Sequence, residues 1–126
     1  MRPDVTVNHA QRADREGNVL LDGIIGVQKE ALLAAKRSVV TVEEVVHSFE
    51  GVPANTCILP HWTIGAIAVS PRGAFPSYAY GYYQRDNAFY LAWEPISRDR
   101  ETFKAWIAEN VMKAGSVVGD AGSGSR

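Results

Sequence analysis

The sequence is poor in cysteine, balanced in charge and free of long apolar runs, and each absence excludes a class of protein. Cys57 is the single cysteine among 126 residues, so no intrachain disulfide can form, which favours a reducing compartment. Thirteen basic and fourteen acidic side chains give a net charge of −1, without the basic excess of nucleic-acid-binding modules. No segment reaches the roughly 18 apolar residues that span a bilayer, and no signal-peptide core follows Met1. We therefore expect a cytoplasmic protein that binds neither nucleic acid nor membrane.

Motifs of several common active sites are also missing. Gly23 and Gly26 lack the spacing of a phosphate-binding loop, and no Gly-x-Ser-x-Gly motif is present. The three histidines, His9, His47 and His61, do not have the spacing of zinc ligands. We therefore expect no metal site and no serine-hydrolase chemistry.

The order of apolar segments is typical of an α/β protein. Hydrophobic residues make up 46% of the chain, enough for a folded core. Predicted strands cover residues 4–9, 19–21, 38–42 and 56–59, and predicted helices cover residues 28–37 and a segment capped by Ser97 or Asp99. These elements predict an open, mostly parallel sheet with flanking helices in one domain, residues 1–113, followed by a disordered Gly/Ser-rich tail, residues 114–126. So few helices cannot cover both faces of a parallel sheet, and we expect the fold to be incomplete on its own.

Local signals predict how some of these elements end. Thr41 and Glu44 have the spacing of a capping box, so the strand at 38–42 is expected to pass into a short helix with Glu43 in solvent. The tyrosine-rich stretch at 75–83 keeps no single period and is predicted to be an ordered loop. Its aromatic rings suit packing at a subunit interface, although a ligand platform is the alternative. Residues 86–93 are expected to form a helical turn that Pro95 interrupts.

Polar side chains at the ends of predicted strands are the candidate site residues. Ligands of parallel α/β sheets bind at the carboxyl ends of strands, and the candidates there are His9, Gln11, Glu44 and His61. Each also has a structural interpretation: Glu44 as part of the capping box, and His61, like His9 and Gln11, as a hydrogen-bonded support.

Six segments, in order, resemble the A (alpha) subunits of class I coenzyme A transferases, most closely the glutaconate CoA-transferase type. The resemblance extends from Arg2 to Met112. Its segments are residues 9–18 (HAQRADREGN), 26–37 (GVQKEALLAAKR), 39–46 (VVTVEEVV), 59–63 (LPHWT), 76–79 (PSYA) and 81–90 (GYYQRDNAFY).

The resemblance implies a specific chemistry. Such enzymes are assemblies of A and B subunits that move coenzyme A from an acyl thioester to another carboxylic acid. The nucleophile is a glutamate of the B subunit, which attacks the thioester and gives a mixed anhydride and then an enzyme-bound thioester. The A subunit helps to form the cleft, so no nucleophile is expected here, and His9, Gln11, Glu44 and His61 are expected to bind substrate. Coenzyme A would be a substrate, and no further cofactor is implied.

The resemblance also implies partners and leaves alternatives. Family A subunits are longer, and the match is to their C-terminal part, so the expected partners are a B subunit, together with a separate N-terminal half of the A subunit. A truncated chain is expected to be inactive alone. The first alternative is a non-catalytic remnant or scaffold subunit, and the second is an acyl-CoA hydrolase subunit on the same fold.

Overall fold

The computed structural model describes residues 2–54 and 56–113, so the predicted tail at 114–126 lies outside the described residues. The chain divides into two compact units between Arg85 and Asp86.

The first unit is built on a five-stranded sheet. Its strands are β1 (Val5–Asp14), β2 (Val19–Leu21), β3 (Arg37–Val46), β4 (Cys57–Leu59) and β5 (Ala66–Val69), in the spatial order β4-β2-β1-β3-β5. β1, β3 and β5 run parallel, whereas β2 and β4 pair antiparallel on the other side of β1. The predicted open α/β sheet is confirmed, and it is a mixed sheet with its parallel strands at one side.

One face of the parallel strands carries the core. The helix α1 (Gln28–Ala34) lies in the connection between β2 and β3, and its Leu32 packs with Val40 and Val42 of β3. Thr6 on β1 donates a hydrogen bond of 3.0 Å to the Ala31 carbonyl, which ties the helix to the sheet. β-branched residues dominate β3 because they pack well on a pleated, buried surface.

The opposite face carries an apolar row that no element of the first unit covers well. Val7, Val39 and Ala66 are neighbours across β1, β3 and β5 in the strand register. The side chain of Val7 is 69% exposed and that of Val5, two residues earlier on the same strand, is 52% exposed. Parallel strands are normally covered on both faces, so this row, Val5, Val7, Val39 and Ala66, is unusual for a complete domain. We call it the open row.

Two predicted boundaries of this unit are wrong. β1 continues past His9 to Asp14, and β3 continues through Glu43 and Glu44 to Val46, so the predicted capping box and helix do not form. The pairing of β1 with β3 extends to Asp14 and Val46, and those ladder hydrogen bonds outweigh a local cap. α1 ends at Ala34, before the predicted end at residue 37.

The second unit is helical. α2 (Asn87–Arg98) is followed by α3 (Arg100–Ile107) and a π-helical segment, Ala108–Met112. Asp99 accepts a hydrogen bond from the Thr102 amide, which confirms one of the two predicted caps. No helix in residues 2–54 or 56–113 combines the length and apolarity needed to cross a membrane.

Pro95 does not interrupt α2 as predicted; it lies inside the helix, which ends three residues later. The ring contacts between α2 and α3 supply a physical reason. Trp93 and Trp106 meet edge to face with their ring centroids 4.7 Å apart, and Phe103 lies 6.0 Å from Trp93. The stabilisation from these ring contacts offsets the free-energy cost of the backbone hydrogen bond that Pro95 removes from the helix.

Gly65 is a position where a methyl group should destabilise the sheet. A Cβ there would lie 2.8 Å from the carbonyl oxygen of Ser38, the group that accepts the Gly65 N–H at 2.9 Å. We expect Gly65→Ala to push β5 away from β3 and to lower the free energy of unfolding by about 1–3 kcal/mol in urea titrations. Ala68→Ser, on an exposed position of β5, is the control and should change it little. Equal stability of both variants would contradict this packing.

Candidate functional site

A hydrogen-bonded network centred on Glu43 joins β1, β3 and the tyrosine-rich loop. His9 Nε2 lies 2.8 Å from Glu43 Oε1, and His9 Nδ1 lies 2.8 Å from Thr41 Oγ1. Thr41 and His9 are paired in the register of β1 and β3, and Glu43 follows Thr41 by two residues, so all three side chains meet on one face of the sheet.

The same carboxylate fixes the start of the loop. Glu43 Oε2 accepts the backbone N–H of Arg72 at 2.8 Å, and the Tyr83 hydroxyl donates to Glu43 while accepting the Ala74 N–H at 2.9 Å. Arg72 adopts a left-handed backbone with φ of 61°, which costs energy for a residue other than glycine. Its guanidinium lies 5.0 Å from the ring centroid of Phe75 and 5.3 Å from that of Tyr83. Glu43 therefore holds both Arg72, just before the tyrosine-rich loop, and Tyr83, at its end, in place.

The ionisation of Glu43 determines the tautomer of His9. Burial by itself would raise the pKa of Glu43, but hydrogen bonds from the Arg72 amide, Tyr83 and His9 outweigh it and hold that pKa below its ordinary value of 4.5. An ionised carboxylate only accepts hydrogen bonds, so the proton of neutral His9 lies on Nε2. His9 Nδ1 then accepts from the Thr41 hydroxyl.

Gly73 leaves the space that the His9 ring occupies. A Cβ on Gly73 would lie 2.7 Å from both Cε1 and Nδ1 of His9 and 2.9 Å from the Ser70 carbonyl oxygen. The close approach of loop and ring therefore depends on glycine at this position.

A polar cleft lies beside this network, toward the carboxyl ends of β1 and β3. One cavity of about 300 Å³ is lined by Gln11, Arg12, Asp22, Glu44, Tyr80, Gly81 and Tyr82. A second, of about 180 Å³, shares Gln11 and Asp22 and extends to His9 and Tyr78. A third, of about 540 Å³, is lined by residues 78–84. We call these adjoining cavities the cleft.

Polar contacts organise the walls of the cleft. Gln11 Oε1 accepts the Asp22 N–H at 3.0 Å, and the Tyr82 hydroxyl donates to Glu44 Oε1 at 2.5 Å. Burial, the hydrogen bond to Glu44 and the charge of Glu44 raise the pKa of Tyr82 well above its ordinary value, so the phenol is protonated at neutral pH. In the described residues, no group of three or more His, Cys, Asp or Glu side chains is arranged to hold a metal ion.

The structure brings three of the four candidate residues together. His9, Gln11 and Glu44 line the cleft. His61 lies elsewhere in this unit, in the short helical turn His61–Thr63, where its backbone N–H donates to Asn18 Oδ1 at 2.8 Å. It lines none of these cavities.

Sequence reasoning missed two structural features of this region. Glu43 was expected in solvent, but its side chain is 5% exposed, because β3 continues and turns it toward His9. Arg12 went unnoticed, although the parallel register that places Glu44 in the cleft also brings Arg12 opposite it. The alternation of side chains along longer strands, β1 for Arg12 and β3 for Glu43, would have indicated both.

Glu43 should make the stability of the first unit sensitive to acid. Its folded-state pKa lies below the ordinary value of 4.5, so its contribution is complete above that pH and is lost as the pH falls through the folded-state value. We expect Glu43→Gln to remove this acid dependence in urea unfolding measured from about pH 3 to 7, whereas the exposed Glu16→Gln keeps it. An acid profile identical to that of the parent chain in Glu43→Gln would refute the assignment.

Comparisons with known proteins give a consistent result. No protein-family model matches the chain. Over 111 residues, 88% of this chain, it is 64% identical to the A subunit of 3-oxoadipate CoA-transferase from Pseudomonas knackmussii. Over 111 residues, 86% of this chain, it is 34% identical to the A subunit of glutaconate CoA-transferase from Acidaminococcus fermentans. The chain spans 39% and 34% of the lengths of these two proteins.

Solved structures agree in fold. The crystal structure of glutaconate coenzyme A-transferase from Acidaminococcus fermentans matches 87% of this chain with a TM-score of 0.79 and 33% identity, over 35% of its own length. The decarboxylase AibA/AibB matches 86% of this chain with a TM-score of 0.62 and 29% identity, over 40% of its own length. The resemblance stated from sequence motifs is thus confirmed in both sequence and fold, over part of these longer proteins.

Proposed function

We infer that this chain is part of the A subunit of a CoA-transferase, which moves coenzyme A between an acyl-CoA and a small carboxylic acid. The observation that carries this proposal is the 64% identity to the A subunit of a 3-oxoadipate CoA-transferase over 88% of the chain. Coenzyme A is a substrate of the proposed reaction, which requires no further cofactor. The proposed location is the cytoplasm.

The geometry of the carboxylates supports a nucleophile on a B subunit. Glu43 is buried and accepts hydrogen bonds from His9, Arg72 and Tyr83, so its oxygens are already occupied. The Glu44 carboxylate accepts the Tyr82 phenol. Neither group is an unencumbered carboxylate of the kind that attacks a thioester, and a glutamate of the B subunit is the proposed nucleophile.

The cleft is the proposed contribution of this chain to the active site. His9, Gln11 and Glu44 are the proposed substrate-binding residues, with His9 acting mainly through the loop that it supports. His61, which lies outside the cleft, would contact substrate only from a surface completed by a partner.

The open row supports the proposal that more protein belongs on this sheet. Its exposed valines lie on parallel strands, which are normally covered on both faces. The remaining part of an A subunit is the proposed occupant, with the B subunit beyond it.

Co-expression with a B subunit, together with the remaining part of an A subunit, tests the proposed function. The purified assembly is incubated with an acyl-CoA and a panel of short carboxylic acids, and the products are identified by mass spectrometry. The expected result is new acyl-CoA that forms only in the presence of both an acceptor acid and the B subunit.

Other outcomes would replace transfer with a different function. Free acid formed without an acceptor indicates the hydrolase alternative, and released carbon dioxide indicates chemistry like that named for AibA/AibB. An assembly that forms without any turnover indicates a scaffold subunit. Failure to associate with either partner would overturn the proposal.

A further inference from the structure

The guanidinium of Arg12 is a permanent cation in the cleft without a paired anion. Arg12 lies beside Glu44 in the register of β1 and β3 and lines the same cavity. Among residues 2–54 and 56–113, however, no side chain forms an ion pair or hydrogen bond with it, and the Glu44 carboxylate accepts the Tyr82 phenol at Oε1.

Arg12 is also the one lysine or arginine among the described residues that line the cleft. A guanidinium suits a carboxylate, which it binds through two parallel hydrogen bonds.

The acidic residues of the cleft do not fill this position. Glu44 is engaged by Tyr82, and Asp22 Oδ1 accepts the Gly23 N–H at 2.8 Å within its own turn. Their charges disfavour an anion beside them, so an ionised ligand group is best accommodated at the Arg12 guanidinium.

The acids named for two relatives, 3-oxoadipate and glutaconate, are both dicarboxylates. When one carboxyl group forms the thioester, the other stays ionised and needs a cation wherever it is withdrawn from water. Resting on the proposed function, we propose that Arg12 binds the distal carboxylate of a short dicarboxylic acid in the cleft. Arg12 thereby selects dicarboxylates over monocarboxylates.

The test compares acceptor acids of equal chain length on the assembled transferase, glutarate with pentanoate and adipate with hexanoate. In Arg12→Met, we expect the ratio of kcat/KM for dicarboxylate over monocarboxylate to fall about 10- to 100-fold, the range for a charge-assisted hydrogen bond. Arg12→Lys keeps the charge without the planar fork and should give an intermediate ratio. Arg15→Met, an exposed position outside the cleft, is the matched control and should keep the parent ratio.

The outcomes separate this proposal from the proposed function. Transfer by the parent assembly with an unchanged ratio in Arg12→Met would overturn the role of Arg12 and leave the transferase in place. Absence of transfer in the parent assembly counts against the proposed function, and calorimetric binding of glutarate then tests Arg12 by itself. If thermal melting shows that Arg12→Met is not a folded assembly, the test uses Arg12→Lys instead. A ratio of kcat/KM for dicarboxylate over monocarboxylate equal to that of the parent assembly in Arg12→Lys would then overturn the proposal.

Discussion

Glu43→Ala should destabilise the first unit by about 3–5 kcal/mol, because it leaves three buried donors without an acceptor at about 1–3 kcal/mol each. The change leaves His9 Nε2, the Arg72 amide and the Tyr83 hydroxyl without their common acceptor. Arg72 would also lose the contact that holds its left-handed backbone. Urea unfolding at low protein concentration, followed by circular dichroism, measures the effect.

The neighbouring Glu44→Ala is the matched control. Glu44 is exposed and forms one described hydrogen bond, to Tyr82, so its removal should cost about 1 kcal/mol or less. Similar losses for the two variants would show that Glu43 does not organise the loop.

The chain alone should self-associate and bind hydrophobic dyes. The open row exposes valines on parallel strands, and Trp62 is 77% exposed in the same unit. Among the described residues, no strand pairs with the outer edge of β5, which therefore offers free N–H and C=O groups for pairing. We expect light scattering to show a particle mass that rises with concentration, together with dye fluorescence well above that of a well-packed monomer.

A charge placed in the open row should reduce this association. Val7→Lys puts an ammonium group in the apolar row, whereas the loop variant Glu50→Gln changes the net charge by the same amount elsewhere. We expect association to fall in the first variant and to persist in the second. A monomeric parent chain with no dye binding would refute the view that this face needs a partner.

The sequence predicted which segments form strands better than it predicted where they end. The β-branched run at 38–42 identified β3, but the capping-box spacing of Thr41 and Glu44 wrongly ended it. A local hydrogen-bonding pattern such as a capping box competes with hydrogen bonds between distant segments. The parallel pairing of β1 with β3 is such a long-range interaction, and a short stretch of sequence does not reveal it. Pro95 was misjudged for a similar reason, because the ring contacts with α3 lie outside its own segment.

The candidate site residues were also chosen from local sequence signals, which do not show where a strand ends. His9, Gln11 and Glu44 were chosen as strand-end residues; they lie inside longer strands and line the cleft together, and their role in binding substrate stays a prediction. His61 satisfied the same rule but follows β4, which pairs with β2 on the antiparallel side of the sheet. The burial of Glu43 depends on the loop that folds over it, which the irregular spacing of its tyrosines did not predict.

The most direct test of the proposed function locates the proposed covalent intermediate in an assembly of this chain with a B subunit and the remaining part of an A subunit. The assembly, incubated with an acyl-CoA, is treated with hydroxylamine, which displaces coenzyme A from an enzyme-bound thioester and leaves a hydroxamate that peptide mass spectrometry detects. We predict this mark on a glutamate of the B subunit, but on no carboxylate of this chain. A hydroxamate on Glu43 or Glu44 would contradict the proposal that this chain shapes the cleft of a transferase without supplying the nucleophile.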